Sequence, residues 1–446
     1  MKPKIILFSL LISAIFQGLC QETWTLEECV EFAIGHNLQL KNTLLDRKSD
    51  QETYRQSIRD LLPSINGSTD YTIRYGRSAD PNTNDYVNTD FYSNNYSLGA
   101  SLDLFRGFQK LNTIRASKFI YRASQEELQQ QKFLLAFRVM AAFYDIEFYE
   151  GLLANSLEQQ QISQANYDLV HKKVELGLLA GADLYEAESN LLGDKLLVTQ
   201  NRNLLATAKL GLIQEMNLEG VEDILLRETR EPLPGEIGKV PALDSLYLGA
   251  RDFVPMVKSQ EYRVRAAKKQ WQASRGALYP SLALVAGYGT SYFETNVDEN
   301  GQVIPFKTQF DDNASKYVGV QLNIPLSHGL GAHSRVKQQK ISFLRERNNL
   351  EIQEQELFKL LQLLLQDRQA LLTEHGQSNQ KVAAQQLAFT IAQKRYDKGQ
   401  INALDLFQAK NLYGSAQNEN LLVQLRLKVN QKTLEFYQGL PVFNIN

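Results

Sequence analysis

The residues able to do chemistry are few and scattered. Five histidines, His36, His171, His328, His333 and His375, stand without acidic or cysteine neighbours at metal-ligand spacing. His328 and His333 fall in a glycine-rich stretch and read as solvent-exposed. Asp298-Glu299-Asn300-Gly301 has the start of a calcium loop but lacks the remaining ligand positions, so it reads as a polar hairpin loop. No nucleophile elbow, phosphate loop or dinucleotide fingerprint occurs. The two cysteines, Cys20 and Cys29, are too few for a disulfide framework or a cysteine zinc site. The sequence thus predicts no enzyme, no metal site and no cofactor. What remains are two Gly-to-Asp turns, Gly177 to Asp183 and Gly399 to Asp405, and the question of what positions them.

The chain has 446 residues with 48 basic and 50 acidic side chains, a balance that argues against a nucleic-acid partner. Eleven prolines leave room for unusually long helices. Beyond the N-terminus no stretch holds the 18 or more apolar residues of a membrane-spanning helix. Residues 1–20 have the charged, apolar and cleavage regions of a signal peptide in order, with an apolar run from Ile5 to Phe16. A dozen apolar residues reach about 18 Å against about 30 Å of hydrocarbon, which disfavours a membrane anchor. Cys20 leaves with the signal or becomes a lipid-modified first residue; Leu19, where such a signal wants a small residue, favours removal.

The remainder is written twice. Gly177, Asp183, Leu184, Tyr185 and Ala187 match Gly399, Asp405, Leu406, Phe407 and Ala409 at an offset of 222. Leu61-Leu62-Pro63-Ser64-Ile65 matches Leu278-Tyr279-Pro280-Ser281-Leu282 at an offset of 217. The expected layout is a first structural repeat over 21–216, an inter-repeat linker over 217–240 carrying Pro232 and Pro234, and a second repeat over 241–446. Each repeat opens with a helix, Leu26 to Leu61 or Leu243 to Leu278, that stops before a proline. A strand pair follows, in 64–104 and 281–326. In the first, Tyr96, Leu98, Ala100, Leu102 and Leu104 alternate with polar residues, giving strands with one apolar and one polar face.

After each strand pair comes a helical hairpin, 108–216 and 332–438. Between Gly107 and Gly177 there is no proline and one glycine, Gly151; between Gly331 and Gly399 the one glycine is Gly376. One continuous helix of that length is roughly 100 Å long and must pack lengthwise on others, coiled-coil fashion. Phe133, Leu134, Phe137, Met140 and Phe143, with Phe358, Leu361, Leu364 and Leu365, supply the apolar seam. Four amphipathic strands leave two open edges, which hydrocarbon does not tolerate. They close only if several chains contribute: two give about 8 strands, three about 12, four about 16, and a water-filled conduit needs the larger numbers.

In this doubled order of short motifs, from Thr25-Leu26-Glu27-Glu28 to the paired Gly-to-Asp turns, the chain resembles the TolC-like outer-membrane efflux proteins over essentially its whole mature length. The resemblance implies an α+β, mostly α fold: long antiparallel helical hairpins forming a trimeric α-barrel, and four strands per chain contributing to a 12-stranded outer-membrane β-barrel. It implies a homotrimer in the outer membrane of a Gram-negative cell, extending into the periplasm. There it would meet a periplasmic membrane-fusion adaptor and an inner-membrane RND or ABC pump, in multidrug efflux or type I secretion. Tyr396 and Gly399 match residues that precede the tip turn, and Asp405 matches an acidic ring at the narrowest point. Where relatives carry a second aspartate and a basic latch, this chain has Gln408 and Ile401. Asp183 matches the latch's acidic partner or serves as a helix cap. Gly177, Leu178, Gly399 and Gln400 fall where the adaptor docks. The competing reading is a periplasmic or surface coiled-coil scaffold without a barrel.

Overall fold

A computed structural model of the chain describes residues 23–79, 84–88, 90–227, 242–326 and 330–443. The signal-peptide residues, Cys20 and His328 lie outside them. In chain order the first half runs β1 (Thr23–Trp24), α1 (Leu26–His36), α2 (Leu38–Arg59), β2 (Ser64–Arg74), β3 (Arg77–Ala79), β4 (Tyr86–Asn88), β5 (Phe91–Arg106), α3 (Gln109–Glu175) and α4 (Gly181–Met216). After β6 (Leu225–Leu226) come α5 (Leu243–Phe253), α6 (Pro255–Arg275), β7 (Ser281–Phe293), α7 (Phe306–Asp312), β8 (Ser315–Asn323), α8 (Gly331–Asp397) and α9 (Ala403–Tyr437). No described helix is long and apolar enough to cross a membrane.

The helices expected over Leu26 to Leu61 and Leu243 to Leu278 are each two. Asn37 adopts an extended backbone (ψ 122°) and its Oδ1 accepts from the Leu40 amide at 3.0 Å, capping α2. Its Nδ2 donates to the Glu215 carbonyl at 3.1 Å, so the break is also a tether to α4. In the second half Pro255 makes the break, because it forces Val254 out of the helical region (ψ 121°). Helix α1 itself starts in a capping box, with Thr25 and Glu28 satisfying each other's backbone amides.

The described residues divide into two compact units. One comprises 45–126 and 258–352 and holds the sheet, a single four-stranded antiparallel sheet in the order β2-β5-β7-β8. The expected sheet of four with two open edges is present, its two pairs joined by β5 and β7, with Leu98 opposite Tyr288 and Ala100 opposite Ala286. The register aligns the faces across all four strands. Ile65, Leu98, Leu284 and Val320 share one face with Tyr71, Tyr92 and Tyr292, while Ser68, Ser97, Gly287 and Gln321 share the other. Contacts fix both: Ser68 and Ser97 hydroxyls meet at 2.7 Å, and the Tyr71, Tyr92 and Tyr292 rings form a chain at 5.4 and 5.6 Å. The apolar face is bare over most of its area, with Val318 78% exposed and Ile65 67% exposed. At one end α7 covers it, placing Phe310 against Tyr96 and Phe306 against Tyr292. Gln309 stitches that helix down by bonding the Phe293 amide and carbonyl, both at 3.0 Å. Among the described residues, β2 and β8 each pair on one side only.

At the other end of the strands two glycines touch. Gly107, at φ +57°, turns β5 into α3, and a Cβ there would lie 2.4 Å from the Gly276 carbonyl oxygen. Only glycine allows both the left-handed backbone and that approach.

The second unit comprises, among the described residues, 23–44, 127–227, 242–257 and 353–443 and is built from the remaining helix lengths. Its largest core gathers Cys29, Val30 and Ala33 of α1 with Val139, Met140 and Phe143 of α3 and Leu212 and Met216 of α4. Leu361 is buried as the seam requires, but Leu134 is 41% exposed. The stretch expected as a linker is partly structural: Ile224 enters this core, and β6 pairs in parallel with β1. Gly151 lets α3 approach α9, since a Cβ there would meet the Leu421 side chain at 2.5 Å.

Candidate functional site

The two Gly-to-Asp turns have the same backbone. Helix α3 ends in a Schellman motif, with Gly177 at φ +70°, its amide bonded to the Val174 carbonyl (2.9 Å) and the Leu178 amide to the Lys173 carbonyl (2.8 Å). Helix α8 ends alike: Gly399 is at φ +68°, its amide bonds Tyr396 (2.9 Å) and the Gln400 amide bonds Arg395 (2.9 Å). Neither glycine is crowded, so the conformation alone selects glycine.

The aspartates occupy the same position, third in the returning helix, but do different things. Asp183 turns its carboxylate back onto the Ala180 amide (Oδ2 to N 3.1 Å), while Ala180 itself offers no side-chain cap. In the other turn Asn402 is the cap, its Oδ1 accepting from the Asp405 amide at 2.8 Å. Asp405 keeps an exposed carboxylate that no described residue holds by a hydrogen bond or ion pair. Gln408, one turn later, is also exposed.

Tyr396 is the one predicted site residue that links the hairpins. Burial, reinforced by the Asp183 carboxylate and then Asp397, raises its phenol above the usual tyrosine range. The Lys173 ammonium lies 5.6 Å from its ring centre. Beside it, Phe389 stacks on Tyr413, and Leu406 closes the same cluster. At the turns themselves apolar side chains face outward: Leu176, Leu178, Tyr185 and Leu404 are all more than 60% exposed.

Sequence reasoning missed a buried ion pair. Lys410 on α9 is 2% exposed, bonds Ser163 of α3 at 2.7 Å and pairs with Asp194 of α4. A signal was present: Leu406, Lys410, Tyr413 and Ala416 fall on the buried stripe of α9, and a lysine in core phase requires a partner. Elsewhere the tempting residues are occupied locally. Asp298 Oδ1 accepts from the amides of Asn300 and Gln302, both at 2.9 Å, in a tight turn around Gly301. His36 stacks on Phe32 at 3.9 Å, and His171 lies 3.6 Å from Glu175. No group of three metal-binding side chains occurs among the described residues.

A sheet with a bare apolar face and two single-sided edges, in a chain of very long helices, leaves apolar surface and unpaired backbone groups that call for further partners. The profile of the family described as outer membrane efflux protein matches residues 30–217 and 250–440. The chain belongs to that family, whose members are outer-membrane transport proteins and not enzymes. It is 22% identical over 406 residues to the outer membrane efflux protein BepC of Brucella suis, covering 90% of this chain and 82% of that one. It is 23% identical over 267 residues to the probable efflux pump outer membrane protein TtgC of Pseudomonas putida, a match spanning 54% of that relative. Its fold is that of the Vibrio cholerae outer membrane protein VceC, with a TM-score of 0.77 at 16% identity, covering 93% of this chain and 96% of the other.

Proposed function

We propose that this chain is the outer-membrane conduit of a tripartite efflux or type I secretion system. Three copies would join their sheets edge to edge, β2 of one chain on β8 of the next, into a 12-stranded barrel. The observation that carries this reading is the four-stranded sheet with one continuous apolar face and two edges each paired on one side. Such a sheet is stable in lipid only when closed. Its other face, with Ser68, Ser97, Gly287 and Gln321, suits water. Two copies of one unit, 21–216 and 241–446 joined through 217–240, account for the element order read twice and for the two matched segments. Residues 1–20 would be the export signal.

In this reading the Gly-to-Asp turns form the periplasmic tip. Asp405 supplies the gate charge: its carboxylate is exposed and uncommitted, and three copies near one axis would attract cations and repel one another. Asp183 acts as the cap of α4 and as the charge beside Tyr396. Gln408 replaces a second acidic ring with a neutral one. Gly177, Leu178, Gly399 and Gln400, with the exposed Leu176, Tyr185 and Leu404, form the surface for a periplasmic adaptor connected to an inner-membrane pump.

The test is membrane fractionation with heat-dependent gel mobility, followed by planar-bilayer recording. A trimer in the outer membrane whose cation block weakens in Asp405→Ala is expected. Recovery of the chain in the soluble periplasm would refute the conduit; unchanged cation block in Asp405→Ala would refute the gate.

A further inference from the structure

Phe105 pairs with Leu282 and so stands on the apolar face of the sheet, and its ring meets Phe108 at 5.3 Å where β5 passes into α3. From there Leu111, Arg115, Lys118 and Arg122 recur at spacings of four, three and four, one exposed stripe of α3. That stripe lies about 80–140° round the helix from Lys110, which turns to the polar face and pairs with Asp103 at 2.9 Å. Arg265, Lys268 and Arg275 make a matching exposed stripe on α6. The Arg122 and Arg265 guanidinium groups both lie over the Tyr262 ring, at 5.9 and 5.4 Å, so the stripes run side by side. Of these six cations, Arg265 alone meets a carboxylate among the described residues, that of Glu261 at 3.4 Å. On the way from the sheet to the cations stand Phe108, 62% exposed, Leu111, 47%, and Tyr279, 51%. The other end of the strands carries mostly the opposite sign, with Asp298, Glu299, Asp311 and Asp312 exposed beside Lys307.

An apolar face, then exposed rings, then unpaired cations is the order of groups that a protein presents to hydrocarbon, interface and headgroups. We propose that these two stripes bind the phosphates of anionic phospholipids in the leaflet that borders the helical end of the sheet. This rests on the lipid-face reading above. Arg115 stands six residues into α3, about 9 Å of rise, and Arg275 at the end of α6 nearest the sheet. Both reach a headgroup layer about 5–8 Å thick by extending their stems. Arg122 and Arg265 lie farther along, roughly 20 and 15 Å of rise, and act weakly through the screened field. A neighbouring copy of the chain would leave the stripes open. Rings stack from α2 to α3 (Tyr54 on Tyr121), from α3 to α6 (Phe119 on Tyr262) and from α6 to α8 (Trp271 on Phe343), so α2 and α8, not α3 and α6, stand at the sides of the row.

Native mass spectrometry of the assembled trimer, titrated with phosphatidylglycerol or with phosphatidylethanolamine of the same chains, tests the stripes, and heat-dependent gel mobility controls for folding. The wild type is expected to take up phosphatidylglycerol in preference, and to lose the preference as ammonium acetate rises from about 0.1 to about 0.5 M. Combining Arg115→Gln, Lys118→Gln, Lys268→Gln and Arg275→Gln is expected to lower phosphatidylglycerol uptake about tenfold or more and to leave phosphatidylethanolamine unchanged. If that variant does not assemble, the salt titration of the wild type carries the test. Removing the exposed cations Lys41, Lys195, Arg202 and Lys359 in the same way is expected to keep the preference. Equal phosphatidylglycerol uptake by the wild type and the four-site stripe variant, or a preference that survives the salt, would overturn the proposal. An equally large loss in Arg122→Gln with Arg265→Gln would point to a longer polyanion and overturn the headgroup assignment, as would a loss of lipopolysaccharide binding in place of phosphatidylglycerol. A conducting outer-membrane trimer without the preference would sink this proposal alone, whereas recovery in the soluble periplasm would refute the conduit on which it rests.

Discussion

Gly107 and Gly399 have nearly the same backbone, φ +57° and +68°, but different surroundings, so substituting alanine at each separates conformational strain from crowding. At Gly399 nothing lies within 4 Å of a new Cβ, and the cost is the left-handed conformation alone, about 1 kcal/mol. At Gly107 the same Cβ would lie 2.4 Å from the Gly276 carbonyl oxygen and 2.8 Å from its Cα. Those are backbone atoms that cannot rotate away, so an overpacking cost of about 1–3 kcal/mol is added, bringing the total to about 2–4 kcal/mol. Gly276→Ala meets the Gly107 oxygen at 2.9 Å without a left-handed backbone and should fall between the two. The assay is thermal melting of the purified protein in detergent, followed by circular dichroism and by gel mobility of heated samples. The double variant should lose less than the sum of the singles, because both relieve one contact by shifting the same junction. Equal losses for Gly107→Ala and Gly399→Ala would refute the account, since it assigns the difference to the Gly276 backbone alone.

Further outcomes follow from the same geometry. Asn402→Ala removes the only side-chain cap of α9 and should cost about 1 kcal/mol, read as faster amide exchange at Asp405; Ala180→Asn should slow exchange at the start of α4. On the bare sheet face Val320→Lys should cost about 2–4 kcal/mol if it sits mid-bilayer and abolish assembly, whereas Gln321→Lys on the opposite face should assemble; equal behaviour would sink the lipid-face assignment. Burial pushes the Cys29 thiol from 9.0 up to about 12, so the folded protein holds a proton that the unfolded chain releases above pH 9. The Cys29 contribution to stability should therefore be constant below pH 9 and fall by at most about 1.4 kcal/mol per unit as pH rises beyond it, so the loss on going from pH 8 to pH 10 should be smaller in Cys29→Ala.

Much of the fold is legible because local rules set it. Pro63 and Pro280 fix where helix yields to strand, the period-two runs fix strand faces, and the glycine spacing fixes the lengths of α3 and α8. The breaks at Asn37 and Val254 had signals, a capping Asn and a following Pro255, outweighed by the apolar periodicity on either side. At the site the turns and their glycines were readable, because a Schellman ending is written in six consecutive residues. The split between Asp183 and Asp405 was not, because both stand third in a returning helix and only the folded turn shows that one carboxylate bonds back to the chain and the other does not. Lys410 was not assigned either, because its partners lie 216 and 247 residues away in sequence.

The sequence by itself determined where the long helices and the four two-faced strands fall and where the two Gly-to-Asp turns lie. Each rests on spacing within a few residues, where backbone sterics and helix or strand periodicity act. Tertiary structure alone decided that β5 and β7 are the strands that join the two pairs, that the expected linker feeds a core, and that Lys410 finds Asp194. Those outcomes depend on which faces meet across hundreds of residues. A pattern states that a strand has an apolar face or a helix a charged position in its core stripe; the partner is chosen only when burial and pairing are satisfied in three dimensions.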